Sequence, residues 1–211
     1  MTYYYWKAEI LKEECEKIIS EFDISMSIHA AVGYLHGTEG LYPEEIEVLK
    51  KENNWDYLHN KSKNEDVPDT SIRKTKVNWL PANHIYNKIL CKYVTTTNEK
   101  QYHYNLTKFT PCQFARYDVG DFYDFHQDSG HTQTDYEEET RKLSMTVQLS
   151  DPDSYEGGEF YFYTGTMEDA PMMQEQGSII IFDSRAWHRV SPVTKGVRYS
   201  LVSWTSGPAF K

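Results

Sequence analysis

Cysteine is scarce: Cys15, Cys91 and Cys112 are the only three in 211 residues. An odd count with no CxxC pair excludes a disulfide-framed scaffold and a zinc ribbon. It fits a reducing compartment, so a cytoplasmic location is expected. Long apolar runs are also missing, with apolar residues at 39% and no stretch near the ~18 that a membrane span needs. No membrane partner is expected. The opening Met1-Thr2-Tyr3-Tyr4-Tyr5-Trp6 has neither the basic start nor the small apolar run of a secretory signal. Cations are outnumbered, 22 Lys and Arg against 32 Asp and Glu, for a net charge of −10. Such a surface repels phosphate backbones, so nucleic acid is not the expected partner. Internal repeats and low-complexity linkers are absent.

Aromatic residues are plentiful at 15%, and the chain has 17 tyrosines. Tyrosine buries a ring while keeping a hydroxyl, which suits sheets and concave sites. The length predicts one domain, 1–211, at roughly 100–200 residues per domain. Residues 3–10 read as a short aromatic strand. Residues 11–22 read as a helix, with Leu11, Cys15, Ile18, Ile19 and Phe22 on one face. A long excursion follows over 25–70, with a short helix expected at 44–51 behind Pro43. Residues 72–80 predict a strand and 83–94 a helix. Beyond about residue 101, turn signals separate short apolar runs at 112–117, 122–128, 143–149, 159–163, 178–182, 187–191 and 197–204. Many short strands at this spacing predict a sandwich or barrel. The expected fold class is α+β: a double-stranded β-helix (jelly-roll) core over roughly 101–207, supported by N-terminal helices within roughly 1–100.

Eight histidines are present, and only His126 has a carboxylate two residues on, Asp128. About one such pair is expected by chance, so the pair gains meaning only from its context. It ends the aromatic run Phe122-Tyr123-Asp124-Phe125, and on a strand residues i and i+2 share a face. The two side chains would converge as metal ligands must. His188, just after the apolar run Ser178-Ile179-Ile180-Ile181-Phe182, is the candidate third ligand. Two histidines and one carboxylate form the facial triad of Fe(II) oxygenases and leave three coordination positions open. Ten residues past His188, Arg198 shares an alternating face with Ser200, Val202 and Trp204. A lone arginine in an apolar strand needs an anion, and its fork fits a carboxylate. A ligand with one carboxylate on the metal and another on Arg198 fits this layout.

Residues 72–207 resemble the Fe(II)- and 2-oxoglutarate-dependent dioxygenases of the prolyl 4-hydroxylase-like branch. The matching pieces run from Ile72-Arg73-Lys74-Thr75-Lys76-Val77 through Gln113-Phe114-Ala115-Arg116-Tyr117 and Gly120-Asp121-Phe122-Tyr123 into the His126/Asp128 pair. They continue through Glu156-Gly157-Gly158-Glu159 and His188-Arg189-Val190-Ser191-Pro192-Val193 to Gly196-Val197-Arg198-Tyr199-Ser200. The resemblance implies that His126, Asp128 and His188 bind Fe(II) and form the catalytic centre. It implies that Arg198 holds the distal carboxylate of 2-oxoglutarate, with Tyr117 and Ser200 beside it and Trp204 toward the substrate. O2 is the second cosubstrate, and ascorbate is expected to support turnover. Collagen-type prolyl hydroxylases carry Lys where this chain has Arg198, whereas a bacterial and phage subset carries Arg. That departure leaves the cosubstrate site in place but loosens the transfer of a peptidyl-proline substrate.

The expected activity is hydroxylation of a prolyl or other amino-acid residue in a peptide or protein. The alternatives are the same chemistry on a free amino acid, a small molecule or a nucleic-acid base, and a non-enzymatic jelly-roll binding module. The acidic or mixed segments 33–70 and 129–141 suggest a basic peptide. His131 reads as a loop residue and Glu137-Glu138-Glu139 as a solvated run. Arg73-Lys74-Thr75-Lys76 reads as an exposed, charge-protected strand edge.

Overall fold

A computed structural model describes residues 3–22, 28–29, 72–129, 139–163, 167–169 and 174–210. The chain opens with strand β1 (Tyr3–Trp6), helix α1 (Lys12–Phe22) and the two-residue strand β2 (Ile28–His29). Strands β3 (Arg73–Lys74) and β4 (Lys76–Trp79) follow, then helix α2 (Ile85–Thr97), which runs on into a π-helical turn at Asn98–Tyr102. Next come β5 (Lys108–Phe109), β6 (Gln113–Tyr117), β7 (Phe122–His126) and β8 (Glu139–Gln148). Then come β9 (Tyr155–Gly157), β10 (Phe160–Tyr163) and β11 (Met167–Asp169). The last four are β12 (Ile179–Asp183), β13 (Trp187–Val190), β14 (Val193–Gly196) and β15 (Arg198–Pro208). The expected helix at 44–51, most of the 25–70 excursion and His131 with its loop lie outside the described residues.

Both helices form on apolar stripes. In α1, Cys15, Ile18 and Phe22 are buried, and Glu13 and Glu14 in the first turn favour the positive end of the helix dipole. In α2, Tyr86, Leu90 and Val94 are buried at four-residue intervals. The helix extends to Thr97, past the expected end at Val94, and the Thr97 hydroxyl accepts a hydrogen bond from Trp6 Nε1 at 2.8 Å. All three cysteines are free thiols.

Among the described residues the larger sheet runs β1-β12-β8-β15-β6-β4-β2, with β5 also paired to β15. A second sheet runs β11-β10-β13-β7-β3, and β14 pairs β9. Period-two alternation sorts β12 between two cores. Ile179 and Ile181 join α1, α2 and the outer face of the larger sheet, while Ile180 and Phe182 join Phe160, Phe162 and Val190 of the second sheet. The expected β-rich core is thus present as two facing sheets, a jelly roll. The two helices share a buried cluster with its larger sheet.

The expected strand over 72–80 is two strands. Thr75, fully buried, is the crossing point: β3 pairs β7 in the second sheet, and β4 pairs β6 in the larger one. Side chains alternate straight through the crossing: Arg73, Thr75 and Val77 are buried, and Lys74 and Lys76 are not.

Gly177 shows how tightly β1's exit is seated. Its φ is +80°, and a Cβ there would lie 1.9 Å from the Ile10 carbonyl oxygen. Gly177→Ala should cost about 1–3 kcal/mol from the backbone conformation alone, with the clash added. Urea denaturation measures it, and an unchanged midpoint would contradict this packing.

Candidate active site

The second sheet places the two histidines side by side. His188 on β13 pairs with His126 on β7, but the next pair is Val190 with Tyr123, so β7 spends three residues where β13 spends two. This is a bulge, and bulges redirect side chains. Residues i and i+3 of a regular strand face opposite sides, yet the rings of Tyr123 and His126 lie face to face, 3.4 Å apart between centroids and 8° from parallel. His126 Nδ1 lies 2.7 Å from the Asp124 carbonyl oxygen, and His188 Nδ1 lies 2.9 Å from that of Ala186. A carbonyl only accepts, so each Nδ1 carries the proton and each Nε2 keeps a free lone pair.

Asp128 reaches the same point by a route that alternation did not predict. β7 ends at His126, and Asp128 lies in the bend beyond it. The amides of Asp128 and Ser129 both donate to the Ser184 carbonyl at 2.9 Å, and Gln127 Nε2 donates to the Arg185 carbonyl. The tight turn between β12 and β13 therefore holds both the acid and, through Ala186, His188. Asp128 Oδ1 is 3.6 Å from His126 Nε2, and Oδ2 is 3.5 Å from His188 Nε2. The three ligating atoms lie within 4.8 Å of one another. Ligands about 2.1 Å from one ion and at right angles stand about 3 Å apart, so this donor set fits an ion with little adjustment.

The protonation states suit that role. Burial pushes Asp128 up, but His188 and His126 beside it outweigh burial and hold its carboxyl well below the usual range. Burial, aided by His126 and opposed by Asp128, pushes His188 down to about 4. Near neutral pH the acid is ionised and His188 is neutral, as ligands must be. His188 titrates lower when folded than its ordinary 6.5. The unfolded chain therefore binds the extra proton as pH falls from 6.5 toward 4, and the metal-free protein loses stability over that window. Urea midpoints across this range should fall with acid, and His188→Gln should flatten the fall.

The larger sheet supplies the opposite wall. Arg198 pairs with Tyr117 across β15 and β6, and Ser200 with Ala115. Arg198 is only 2% exposed, and its guanidinium carbon is 5.5 Å from the Tyr117 ring centroid. Among the described residues no carboxylate lies within ion-pair distance of it. The Gly157-Gly158 turn makes room for it. Both glycines have positive φ, and a Cβ on Gly158 would come within 2.8 Å of Arg198 Cδ. Tyr117, His126, Asp128, His188, Arg198, Ser200 and Trp204 all line one cleft, so every site residue read from the sequence is brought together. The same cleft holds Arg73 and Tyr123, which that reading missed. Arg73 sits on β3, the edge strand of the second sheet among the described residues, but its side chain is buried, 8% exposed, on the inward face of the alternation, not in solvent. A wider surface depression near Asn87 and Phe109 carries one thiol, Cys91, pushed up by burial, and no second metal ligand.

Residues 112–206, which carry the triad and Arg198, match the 2OG-Fe(II) oxygenase superfamily. The match spans 95 of the 211 residues, a little under half of the chain. The description of that superfamily names 2-oxoglutarate and Fe(II). A PKHD-type hydroxylase of Alteromonas mediterranea is 36% identical over 98 residues, 46% of this chain and 42% of its own length. One of Stenotrophomonas maltophilia is 36% identical over 98 residues, covering 46% and 43%. The chain thus spans less than half the length of these curated relatives. Among solved structures, the viral collagen prolyl hydroxylase of Paramecium bursaria Chlorella virus-1 superposes with a TM-score of 0.63 at 20% identity, covering 98% of this chain and 97% of that one. A Pseudomonas putida prolyl-4-hydroxylase gives 0.54 at 20% identity, covering 92% and 100%. At these identities the oxygenase structures establish the shared jelly-roll fold. No described helix is long and apolar enough to cross a membrane.

Proposed function

We propose that this protein is a 2-oxoglutarate-dependent dioxygenase that hydroxylates a C–H bond of an amino-acid residue in a peptide or protein. 2-Oxoglutarate is consumed to succinate and CO2. The observation that carries this reading is the convergence of His126, Asp128 and His188 in one cleft with a buried arginine that has no carboxylate partner among the described residues. His126, Asp128 and His188 would hold Fe(II), which when bound supplies the redox chemistry that couples decarboxylation to oxidation of the substrate. The two Nδ1–H bonds to carbonyls fix the tautomer and aim of each imidazole. Arg198 pairs with the distal carboxylate of 2-oxoglutarate, with Tyr117 and Ser200 beside it. Trp204, farther along the same strand face, borders the substrate. The helices α1 and α2 serve as the support of the jelly roll, and the chain acts as one dioxygenase domain.

The named relatives and fold neighbours support a prolyl or similar target. They include a prolyl hydroxylase from Trichoplax adhaerens solved with a peptide fragment of hypoxia inducible factor, which superposes with a TM-score of 0.52 at 17% identity. The test is conversion of 2-oxoglutarate to succinate in the presence of Fe(II) and ascorbate, with and without a peptide pool, together with mass spectrometry of the peptides. Succinate formation and a one-oxygen mass gain are expected. No turnover under either condition would refute the assignment.

A further inference from the structure

Among the described residues, Arg73 is a buried cation without a matching anion. Its neighbours on the strand pair locally: Lys74 Nζ lies 3.1 Å from Asp121, and Lys76 Nζ lies 2.6 Å from Asp118. Arg73 has instead one neutral bond, from NH2 to Gln113 Oε1 at 3.0 Å, and its guanidinium carbon lies 4.6 Å from the Tyr123 ring centroid. Its Nε is buried with no hydrogen-bond partner, and among the described residues no carboxylate lies within ion-pair distance of it. A charge taken out of water without a partner is costly, so such a group is retained where something else completes it.

The geometry separates this charge from the cosubstrate. Arg198 stands opposite Tyr117, whereas Gln113, which holds Arg73, stands opposite Val202, four residues farther along β15. At about 3.3 Å per residue that is about 13 Å of strand. A five-carbon diacid spans roughly 5–6 Å, less than half of that length of strand, so the two arginines are anchored at different levels of the cleft. Charge leads the same way. The ionised groups lining the described cleft are Arg73, Arg198 and Asp128. Fe(II) and the 2-oxoglutarate dianion cancel one another, Asp128 offsets one arginine, and one positive charge is left over at the far end of the cleft.

We infer that Arg73 binds a carboxylate of the molecule that is oxidised. This deepens the proposed function, on which it rests, by naming the substrate class: a carboxylate carried close to the reacting carbon. Arg73 lies over Tyr123, and Tyr123 lies flat on His126, so the bound carboxylate sits beside the metal ligands. Two sources share this chemistry: the α-carboxylate of a peptide C-terminus, for which free and N-acetylated amino acids stand in as probes, and an Asp or Glu side chain within a peptide. The acidic segments behind the expectation of a basic peptide lie largely outside the described residues, whereas the described wall carries a cation.

The test uses full-length protein loaded with Mn(II) and 2-oxoglutarate, with both loadings checked by calorimetry. Paramagnetic broadening of ligand NMR signals then reports small molecules seated near the metal, without turnover. The probes are free and N-acetylated amino acids as acids and as amides, and amidated tripeptides containing Glu or Gln. At least one acid should bind about 10- to 100-fold more tightly than its amide or Gln counterpart. The pair that discriminates identifies the source. Arg73→Gln should bring that ratio close to one, and Arg73→Lys should keep part of it. Equal binding of acids and amides to the wild type, no binding by any probe, or a ratio that survives in Arg73→Gln would overturn the inference. The wild-type comparison stands even if a variant misfolds. Failure of the wild type to take up Mn(II) or 2-oxoglutarate would overturn the proposed function itself, and this inference with it.

Discussion

Asp128→Ala should abolish tight Fe(II) binding while leaving the protein folded. Asp128 is the only anionic member of the triad, and its two oxygens face the two Nε2 atoms at 3.6 and 3.5 Å. Losing an outer partner of a metal ligand typically costs 10- to 100-fold in affinity, so loss of a direct anionic ligand should exceed about 100-fold. The fold should survive because the bend is held by main-chain bonds from Asp128 and Ser129 to Ser184, which the substitution leaves in place. The remaining imidazoles are both neutral when Nδ1 is protonated and Nε2 is free, so no buried charge is stranded. Anaerobic calorimetric titration with Fe(II), set beside a urea melt of the metal-free variant, separates the two effects. Unchanged Fe(II) affinity would show that the triad is misassigned. A collapse of the metal-free fold would show that Asp128 is structural first.

Residue chemistry made the site legible earlier than geometry did. His126, Asp128, His188 and Arg198 could be picked out because each is costly on an apolar strand unless it has a partner or a task. The structure brings these four into one cleft, with Ser200, Val202 and Trp204 from the alternating face of β15. The route by which Asp128 reaches its place was not legible. Alternation assumed an unbroken strand through 128, whereas β7 bulges and ends at His126, and the β12–β13 turn carries the acid instead. Bulges depend on the partner strand's register, which a single segment does not encode. Arg73 was missed for a different reason. In the sequence it sits in a run of cations, Arg73-Lys74-Thr75-Lys76, that looks like a solvated edge. Strand alternation separates the arginine from the lysines, since Arg73, Thr75 and Val77 are buried while Lys74 and Lys76 are not, and that signal was present in the sequence. The glycine pair at 157–158 was legible as a motif, but its reason is steric: the turn crosses over Arg198 too closely for a Cβ.

The second large effect concerns Arg198 and differs greatly in size between two measurements. On the proposed function, Arg198→Ala removes the partner of the distal carboxylate of 2-oxoglutarate. Stripping one side of a buried charge pair typically costs ~3–5 kcal/mol, because the remaining charge stays desolvated. At ~1.4 kcal/mol per tenfold, 2-oxoglutarate should bind roughly two to three orders of magnitude more weakly. Fe(II) affinity should change little, since the arginine is not a ligand. Without 2-oxoglutarate the balance differs. Arg198 is then 2% exposed with no carboxylate within ion-pair distance among the described residues. Its removal relieves a buried charge while opening a cavity, so the ligand-free melting temperature should move far less than the affinity does. The wild type gains about 2.7 kcal/mol when 2-oxoglutarate is present at a hundred times its Kd. The variant should show almost no gain at that same concentration. Arg198→Lys should fall between the two, keeping the charge but losing the two-pronged grip. Anaerobic calorimetry and thermal melts with and without 2-oxoglutarate read all of these quantities. If Arg198→Ala bound 2-oxoglutarate as the wild type does, the cosubstrate would have to be held elsewhere in the cleft. Arg73 would be the remaining cation able to hold it, and the separation of cosubstrate and substrate ends argued above would fail with it.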